Sequence, residues 1–396
     1  MAKLPRVRLQ KGAHRRLMGG YPWVYSNEIA MDLASKALNP GVVVTLDTAG
    51  GEGQATAHFN PHTLIAARVL EFAPDRTIDR EWFKSKLERA LALRTRLFDA
   101  PYYRLVHAEG DGLPGLVIDR FGDVAVVQPN TAGMAAACAD IVAALAELIA
   151  PRAVVVRGDS AARALEGLDD QISMAHGTLD GPVEVKEGGC TFFADLTQGQ
   201  KTGWFFDQRD NRAFIAGLAR GGSSLLDLYT HTGGFAVAAA KAGAVNVTAV
   251  DGSALALELA QKAAQASGVA DRCAFTKSDV FDYLTHAAGT GAKYDIVVAD
   301  PPAFVKSRKD LKPGLQGYRK LARLCAPLVA PGGFLLMASC SHNAGLADFN
   351  SSVVRGLDDT HRTGRLIRTS GAGADHPVHA HLPETAYLKA VTYQLD

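Results

Sequence analysis

The stretch Ser224-Leu225-Leu226-Asp227-Leu228-Tyr229-Thr230-His231-Thr232-Gly233-Gly234-Phe235 passes from apolar residues through a polar turn to two glycines. Its first part, Ser224–Tyr229, reads as a buried strand. Gly233 and Gly234 let a ligand approach the backbone where a helix begins. The theme then repeats. Residues Gly234–Ala242 read as a helix, Asn246–Val250 as a strand, and Ser253–Ala266 as a helix capped by Ser253 and ended by Gly268. Strands are expected at Ala274–Lys277, Tyr294–Ala299 and Phe334–Ala338, the last bounded by Pro331-Gly332-Gly333, with a helix at Gly317–Val329. Apolar strands alternating with helices predict an α/β fold built on a parallel, doubly wound sheet.

In such sheets ligands bind beyond the carboxyl ends of the strands, so the strand ends are where chemistry is sought. They hold Asp227 with the glycine loop, Asp251, Asp279, Asp300-Pro301-Pro302, and Ser339-Cys340-Ser341. The loop is not GxGxxG, which weakens a dinucleotide reading. Asp251 lies near the ~20-residue interval at which an acidic residue receives ribose hydroxyls, although it could equally cap the next helix. A ring of carboxylates suits a cofactor with cationic and hydroxyl-rich parts and repels a pyrophosphate. Proline fixes its own φ and restricts its predecessor, so Asp300 sits on a rigid turn. A carboxylate held in this way can accept a hydrogen bond from an exocyclic amine of a base. Cys340 leaves an apolar strand where a reaction centre is expected, and a thiolate there can add to the electron-poor C6 of a pyrimidine. The other cysteines, Cys138, Cys190, Cys273 and Cys325, read as small buried hydrophobes.

Outward from this region, residues 1–73 read as a small β-rich unit with strands at Val42–Leu46, Gln54–His58 and Leu64–Leu70. Residues 74–185 read as a mixed α/β middle segment. It has a helix at Glu81–Leu97, strands at Leu116–Asp119, Val124–Gln128 and Ala153–Arg157, and one helix over Met134–Ile149. The 396 residues, 47% apolar and 21% charged, suit two or three ordinary globular domains. The net charge of +1 favours no partner. Locally, basic residues cluster at Lys3, Arg6, Arg8, Lys11, Arg15 and Arg16, and again from Lys306 and Arg308 to Arg323. Such runs neutralise phosphates or form a solvated face. No apolar leader or membrane-length run is present, and five scattered cysteines without a CxxC pair argue against zinc or a disulfide framework. The expectation is a cytoplasmic protein with no metal and no membrane partner.

Several segments together resemble one family. They are Tyr21-Pro22-Trp23-Val24-Tyr25-Ser26, Asp111-Gly112-Leu113-Pro114-Gly115-Leu116 through Asp119-Arg120-Phe121-Gly122, Lys201-Thr202-Gly203 with Asp207-Gln208-Arg209, Thr232-Gly233-Gly234-Phe235, Asp300-Pro301-Pro302, Ser339-Cys340-Ser341, and Asp375-His376-Pro377 with Pro383-Glu384. The carboxyl half resembles class I S-adenosylmethionine (SAM)-dependent methyltransferases. The whole chain is similar to bacterial 23S rRNA large-subunit (cytosine-5)-methyltransferases with an amino-terminal PUA domain. The resemblance implies a PUA RNA-binding domain over 1–73, a central linking domain over 74–185 and a Rossmann-like methyltransferase domain over 186–396. It implies SAM contacts from Thr202, Phe205, Gln208, Arg209, Asp227, Tyr229, Gly233, Gly234, Phe235, Asp251, Gly252, Ser253, Asp279 and Val280. Cys340 would be the nucleophile and Asp300 would hold the base edge. Glu384, after Pro383, would take the C5 proton, as a Pro-Glu glutamate does in the single-cysteine uracil-5 enzymes whose layout this chain resembles. RNA would be met by Lys11, Arg15, Arg16, Trp23, Lys306 and Arg308. The implied partner is 23S rRNA, free or within an assembling large subunit, and a homodimer stays open. The chain departs from the family at Thr230-His231 and His342-Asn343. Three rivals remain: N-methylation of adenine or guanine, a non-catalytic rRNA-binding assembly factor, and a nicotinamide-dependent oxidoreductase.

Overall fold

A computed structural model of the chain describes residues 3–199 and 203–396. It divides into two compact units. The first comprises residues up to Gly181 with Asp195–Gly203 and Ala374–Pro383, and the second comprises Pro182–Ala194, Trp204–Gly373 and Glu384–Asp396.

The first unit carries two five-stranded sheets. One orders Arg6–Arg8, Val42–Asp47, Gly53–Phe59, Ile65–Glu71 and Trp23–Tyr25. The other orders Gln171–His176, Ala153–Gly158, Val124–Pro129, Leu116–Phe121 and Tyr102–His107. The strands at Arg6–Arg8, Trp23–Tyr25 and Tyr102–His107 are too short or too interrupted by charge to show in a hydropathy pattern. The helix expected over Met134–Ile149 is two, Ala132–Ala136 and Cys138–Ile149, because Ala137 leaves helical geometry at ψ 4°. Asp375 organises much of this unit. Its carboxylate accepts the Arg104 N–H at 2.9 Å, and its carbonyl accepts from the fully buried Arg94, which also forks onto Asp111. The Asp375-His376-Pro377 motif is therefore a docking point of the first unit's core.

The second unit is built on a seven-stranded sheet. Its strands are β1 (Ser224–Leu228), β2 (Asn246–Asp251), β3 (Cys273–Lys277), β4 (Tyr294–Ala299), β5 (Val329–Ser339), β6 (Gly364–Ser370) and β7 (Lys389–Leu395). The order is β3-β2-β1-β4-β5-β7-β6. The first five are parallel, as expected, while β7 runs antiparallel to both β5 and β6. The helices are α1 (Arg209–Leu218), α2 (Gly234–Ala242), α3 (Ala254–Ala266), α4 (Val280–Thr290), α5 (Leu311–Cys325) and α6 (Leu346–Asp358). Over one sheet face, Leu284 of α4, Tyr318 and Leu321 of α5, and Phe349 and Val353 of α6 share a core with Leu226, Val297 and Leu335. Each buried aliphatic side chain contributes about 1.5–3 kcal/mol.

Helix α5 starts six residues before the expected Gly317. Pro313 occupies its first turn, where a missing N–H costs nothing. Gly314 and Gly317 let Phe304 close on the helix: a Cβ at Gly314 would lie 2.7 Å from the Phe304 carbonyl oxygen. A two-stranded hairpin, Val183–Glu187 with Cys190–Ala194, precedes the sheet through Gly188-Gly189, both left-handed.

Candidate functional site

Strand order reverses at β1, so the crevice between the carboxyl ends of β1 and β4 is where a ligand is expected. The acids at the strand ends converge there. Asp227 is 1% exposed. Its Oδ2 accepts the Thr230 hydroxyl and the Ala236 N–H at 3.0 Å, while Oδ1 is buried without a hydrogen-bond partner. Burial pushes its carboxyl up to about 7, Asp300 and Asp251 add to this, and the two hydrogen bonds oppose it. Asp251 accepts the His231 N–H at 2.9 Å and the Ser253 N–H at 2.8 Å, tying the glycine loop to the start of α3. Ser253 is the N-cap of α3, as expected. Asp279 is exposed and caps α4 through Oδ1, with Val280 buried behind it.

The loop from β1 to α2 is strained. Tyr229, His231 and Gly233 all have positive φ, at 61°, 51° and 83°. Gly234 leaves room where a Cβ would sit 3.0 Å from Arg212 Cδ. His231 stands edge-on to Phe205 at 5.0 Å, Phe235 is buried, and Gly252 is open to solvent. These residues fit SAM: an orphaned buried carboxylate oxygen awaits a donor or cation, and further carboxylates stand ready for hydroxyls and amines. Thr202 lies outside the described residues.

The structure gives two expected cofactor residues additional occupations. The Arg209 guanidinium lies 3.6 Å from Glu187, which Arg212 also grips at 2.6 and 2.9 Å. Gln208, 3% exposed, donates from Nε2 to Asp300 Oδ2 at 2.8 Å and accepts from Asn211 Nδ2 at 2.6 Å. Asn211 Oδ1 in turn accepts the Ser370 hydroxyl at 2.6 Å. This relay fixes both amides in one orientation and holds the Asp300 carboxylate. Sequence reasoning missed Asn211 and Ser370, since neither has a motif.

Cys340 leaves β5 beside Asp300, which leaves the adjacent β4; Ala299 pairs with Met337 across the two strands. Cys340 is half-buried, unlike Cys190 and Cys325, which are fully buried as expected. Cys138 and Cys273 are half-buried rather than buried as expected: Cys138 is the first residue of its helix and Cys273 the first of the edge strand β3. Burial pushes all four of these thiols up, that of Cys273 to about 12, which keeps them protonated. The serines flanking Cys340 clamp its turn. The Tyr318 hydroxyl is 2.8 Å from Ser339 Oγ and 2.9 Å from Ser341 Oγ, and Ser341 Oγ accepts the Val305 N–H at 3.1 Å. His342 stacks on Tyr387 at 5.3 Å, and the Tyr387 hydroxyl donates to the buried Asp207. Glu384 lies exposed in a short turn just before β7, at the same end of the sheet.

Of the candidate RNA contacts, Lys11 and Arg15 are exposed. Arg16 is paired with Glu28 at 2.7 Å and covers the Tyr21 ring at 3.9 Å. Trp23 is half-buried and its indole donates to Glu109 at 2.8 Å, so packing already employs it. Lys306 and Arg308 are exposed, and the Lys306 carbonyl accepts from Asn343 at 3.2 Å, joining this basic segment to the Cys340 loop. Next to them a groove of about 570 Å³ is lined by Arg308, Lys309, Lys312, Arg319 and Arg355. Among the described residues no cluster could hold a metal, and no helix is long and apolar enough to cross a membrane.

The sheet and its acid-lined crevice are those of a class I SAM-dependent methyltransferase. Residues 168–371 match the family of S-adenosylmethionine-dependent methyltransferases, and residues 7–72 match a PUA-like domain. The ribosomal RNA large subunit methyltransferase I of Aliivibrio fischeri is 35% identical over 390 residues, covering 97% of each chain. With relatives that similar over nearly their whole length, the chain belongs to the ribosomal RNA large subunit methyltransferase I family. Its fold matches that of a SAM-dependent methyltransferase from Streptococcus mutans, with a TM-score of 0.82 at 22% identity, covering 99% of this chain and 100% of that one. A methyltransferase solved in complex with SAH superposes with a TM-score of 0.84 at 21% identity and the same coverage. The cofactor is thus SAM rather than a nicotinamide dinucleotide.

Proposed function

We propose that this protein methylates C5 of a cytosine in 23S rRNA through a covalent adduct on Cys340. The observation that carries this reading is the placement of Cys340 and Asp300 at the carboxyl ends of adjacent strands, one clamped by Tyr318 and the other by Gln208.

The target base leaves its stack to reach the crevice, at a cost of a few kcal/mol. Asp300 accepts from the base's exocyclic amine and holds its edge. The Cys340 thiolate adds to C6, forming an S–C6 bond and moving the C5–C6 π pair onto C5. The cofactor supplies an electrophilic methyl group on a sulfonium. Once C5 carries both methyl and hydrogen, Glu384 removes the C5 proton. The C–H pair reforms the double bond and expels Cys340 as thiolate. Gln208 and Asn211 hold Asp300 throughout without changing charge.

The rival N-methylation reading needs an aromatic side chain directly after the prolines. Here Ala303 intervenes, and the half-buried Phe304 packs on the core residue Tyr318 at 4.8 Å. RNA is captured, in this proposal, by the PUA-like sheet with Lys11, Arg15, Arg16 and Trp23, and by Lys306 and Arg308 at the groove on α5. The division 1–73, 74–185 and 186–396 into RNA-binding, linking and methyltransferase domains belongs to the same proposal. Incubating the protein with unmodified 23S rRNA and labelled SAM, then identifying the product nucleoside by mass spectrometry, tests it. A methylated purine would overturn it.

A further inference from the structure

Lys389 stands out among the groups this mechanism does not use. It lies in the apolar run Leu388-Lys389-Ala390-Val391 at the start of β7, and it is 9% exposed. Its position brackets the nucleophile. Its backbone pairs with Ser339, the residue before Cys340, and its Nζ donates at 2.6 Å to the carbonyl of Ser341, the residue after it. A second bond at 2.8 Å reaches the Tyr387 carbonyl. An ammonium has three donors, and these two carbonyls take two of them. Neither acceptor carries charge, so both could be met by a neutral donor. The chain nevertheless keeps a cation here, and burying one is costly without an anion nearby. No carboxylate pairs with it among the described residues. The group whose charge favours the Lys389 cation is the Cys340 thiolate, while burial pulls the amine's pKa down.

We propose that Lys389 is the positioning residue of Cys340, fixing the Ser339–Ser341 turn through its carbonyl bonds and stabilising the thiolate with its charge. This rests on Cys340 being the nucleophile. The other titratable groups at this end of the sheet are Asp227 of β1, Asp251 of β2, Asp300 beyond β4, Tyr318 from α5, His342 beyond β5, Asp207 before α1, and Tyr387 and Glu384 before β7, with Asp300 held by Gln208. Tyr318 is spoken for by the two serines and Tyr387 by Asp207. That leaves Lys389 as the cation bonded to the Cys340 turn. An opposite charge within ~4–6 Å moves a pKa by ~1–3 units.

The test is the pH dependence of Cys340 alkylation by iodoacetamide, followed on the Cys340 peptide by mass spectrometry without RNA. In Lys389→Met the alkylation midpoint is expected to rise by about one unit or more, with SAM still bound. In Lys389→Arg, which keeps the charge, it is expected to stay near the wild-type value. An unchanged midpoint in a Lys389→Met protein that binds SAM overturns the proposal. Should Lys389→Met fail to fold, the reciprocal measurement decides, because coupled titrations act both ways. Acylation of Lys389 by acetic anhydride should shift its midpoint to lower pH in Cys340→Ala, and an unmoved midpoint there overturns the proposal equally. Neither measurement uses turnover. If Cys340→Ala stays active while these shifts occur, it is the nucleophile assignment that fails.

Discussion

Replacing Gln208 with leucine removes an amide that donates to the Asp300 carboxylate. Two losses follow from the geometry. The 2.8 Å bond from Nε2 to the Asp300 carboxylate is charge-assisted, and such bonds contribute about 1.5–3 kcal/mol. Asn211, 0% exposed, loses the acceptor of its Nδ2, and a buried donor left unpaired costs about 1–3 kcal/mol. The second loss falls on stability, and thermal unfolding should register it. The first falls on catalysis if the base edge must meet a fixed carboxylate. At 1.36 kcal/mol per decade, it predicts a drop of roughly 10- to 150-fold in kcat/KM. The assay is methyl transfer from labelled SAM to unmodified rRNA, read beside the unfolding curve of the same protein. A variant that melts earlier yet keeps wild-type kcat/KM would refute the reasoning, since Asp300 would then need no holding.

The burial of Asp227 predicts two pH effects. Its carboxyl titrates at about 7 in the fold against ~3.9 unfolded, so its contribution to stability is complete below ~4 and is lost as pH rises through 7. Asp227→Asn should flatten that decline in a melting series. SAM affinity in the wild type should rise through the same window, because a cationic ligand prefers the ionised carboxylate, and titration calorimetry on Asp227→Asn should show no such rise. Glu384→Gln should slow proton removal from C5 and leave an RNA–protein adduct that survives denaturing gels; full turnover without adduct would remove Glu384 from the mechanism. If Lys306 and Arg308 each contact a phosphate, changing both to glutamine should lower the slope of log K against log salt by about 1.4, at ~0.7 per contact on single-stranded RNA. A slope equal to the wild type's would leave them as solvated surface.

The parallel core of the second unit was legible because its central strands are largely buried and read as apolar runs: Tyr294–Ala299 falls where the pattern puts it and Asn246–Asp251 within one residue of it. Strands β6 and β7 were not, because β6 is an exposed edge with little hydropathy signal, and β7 carries a lysine in its apolar face. The start of helix α5 was misplaced since Pro313 and Gly314 signal a break locally, and the packing of Phe304 on Gly314 and Gly317 explains why the helix keeps glycines there. The acids of the site were visible as strand-end residues. What holds Asp300 and the Cys340 turn was invisible: Asn211, Ser370 and Tyr318 have ordinary sequence surroundings, and their roles exist only once distant segments meet.

The claim that everything else serves is the covalent role of Cys340. Methyl transfer from labelled SAM to unmodified 23S rRNA, compared between wild type and Cys340→Ala with SAM affinity measured on both, tests it most directly. The account predicts 5-methylcytosine from the wild type, none from Cys340→Ala, and equal SAM binding by the two. Methylation that survives the substitution would contradict it.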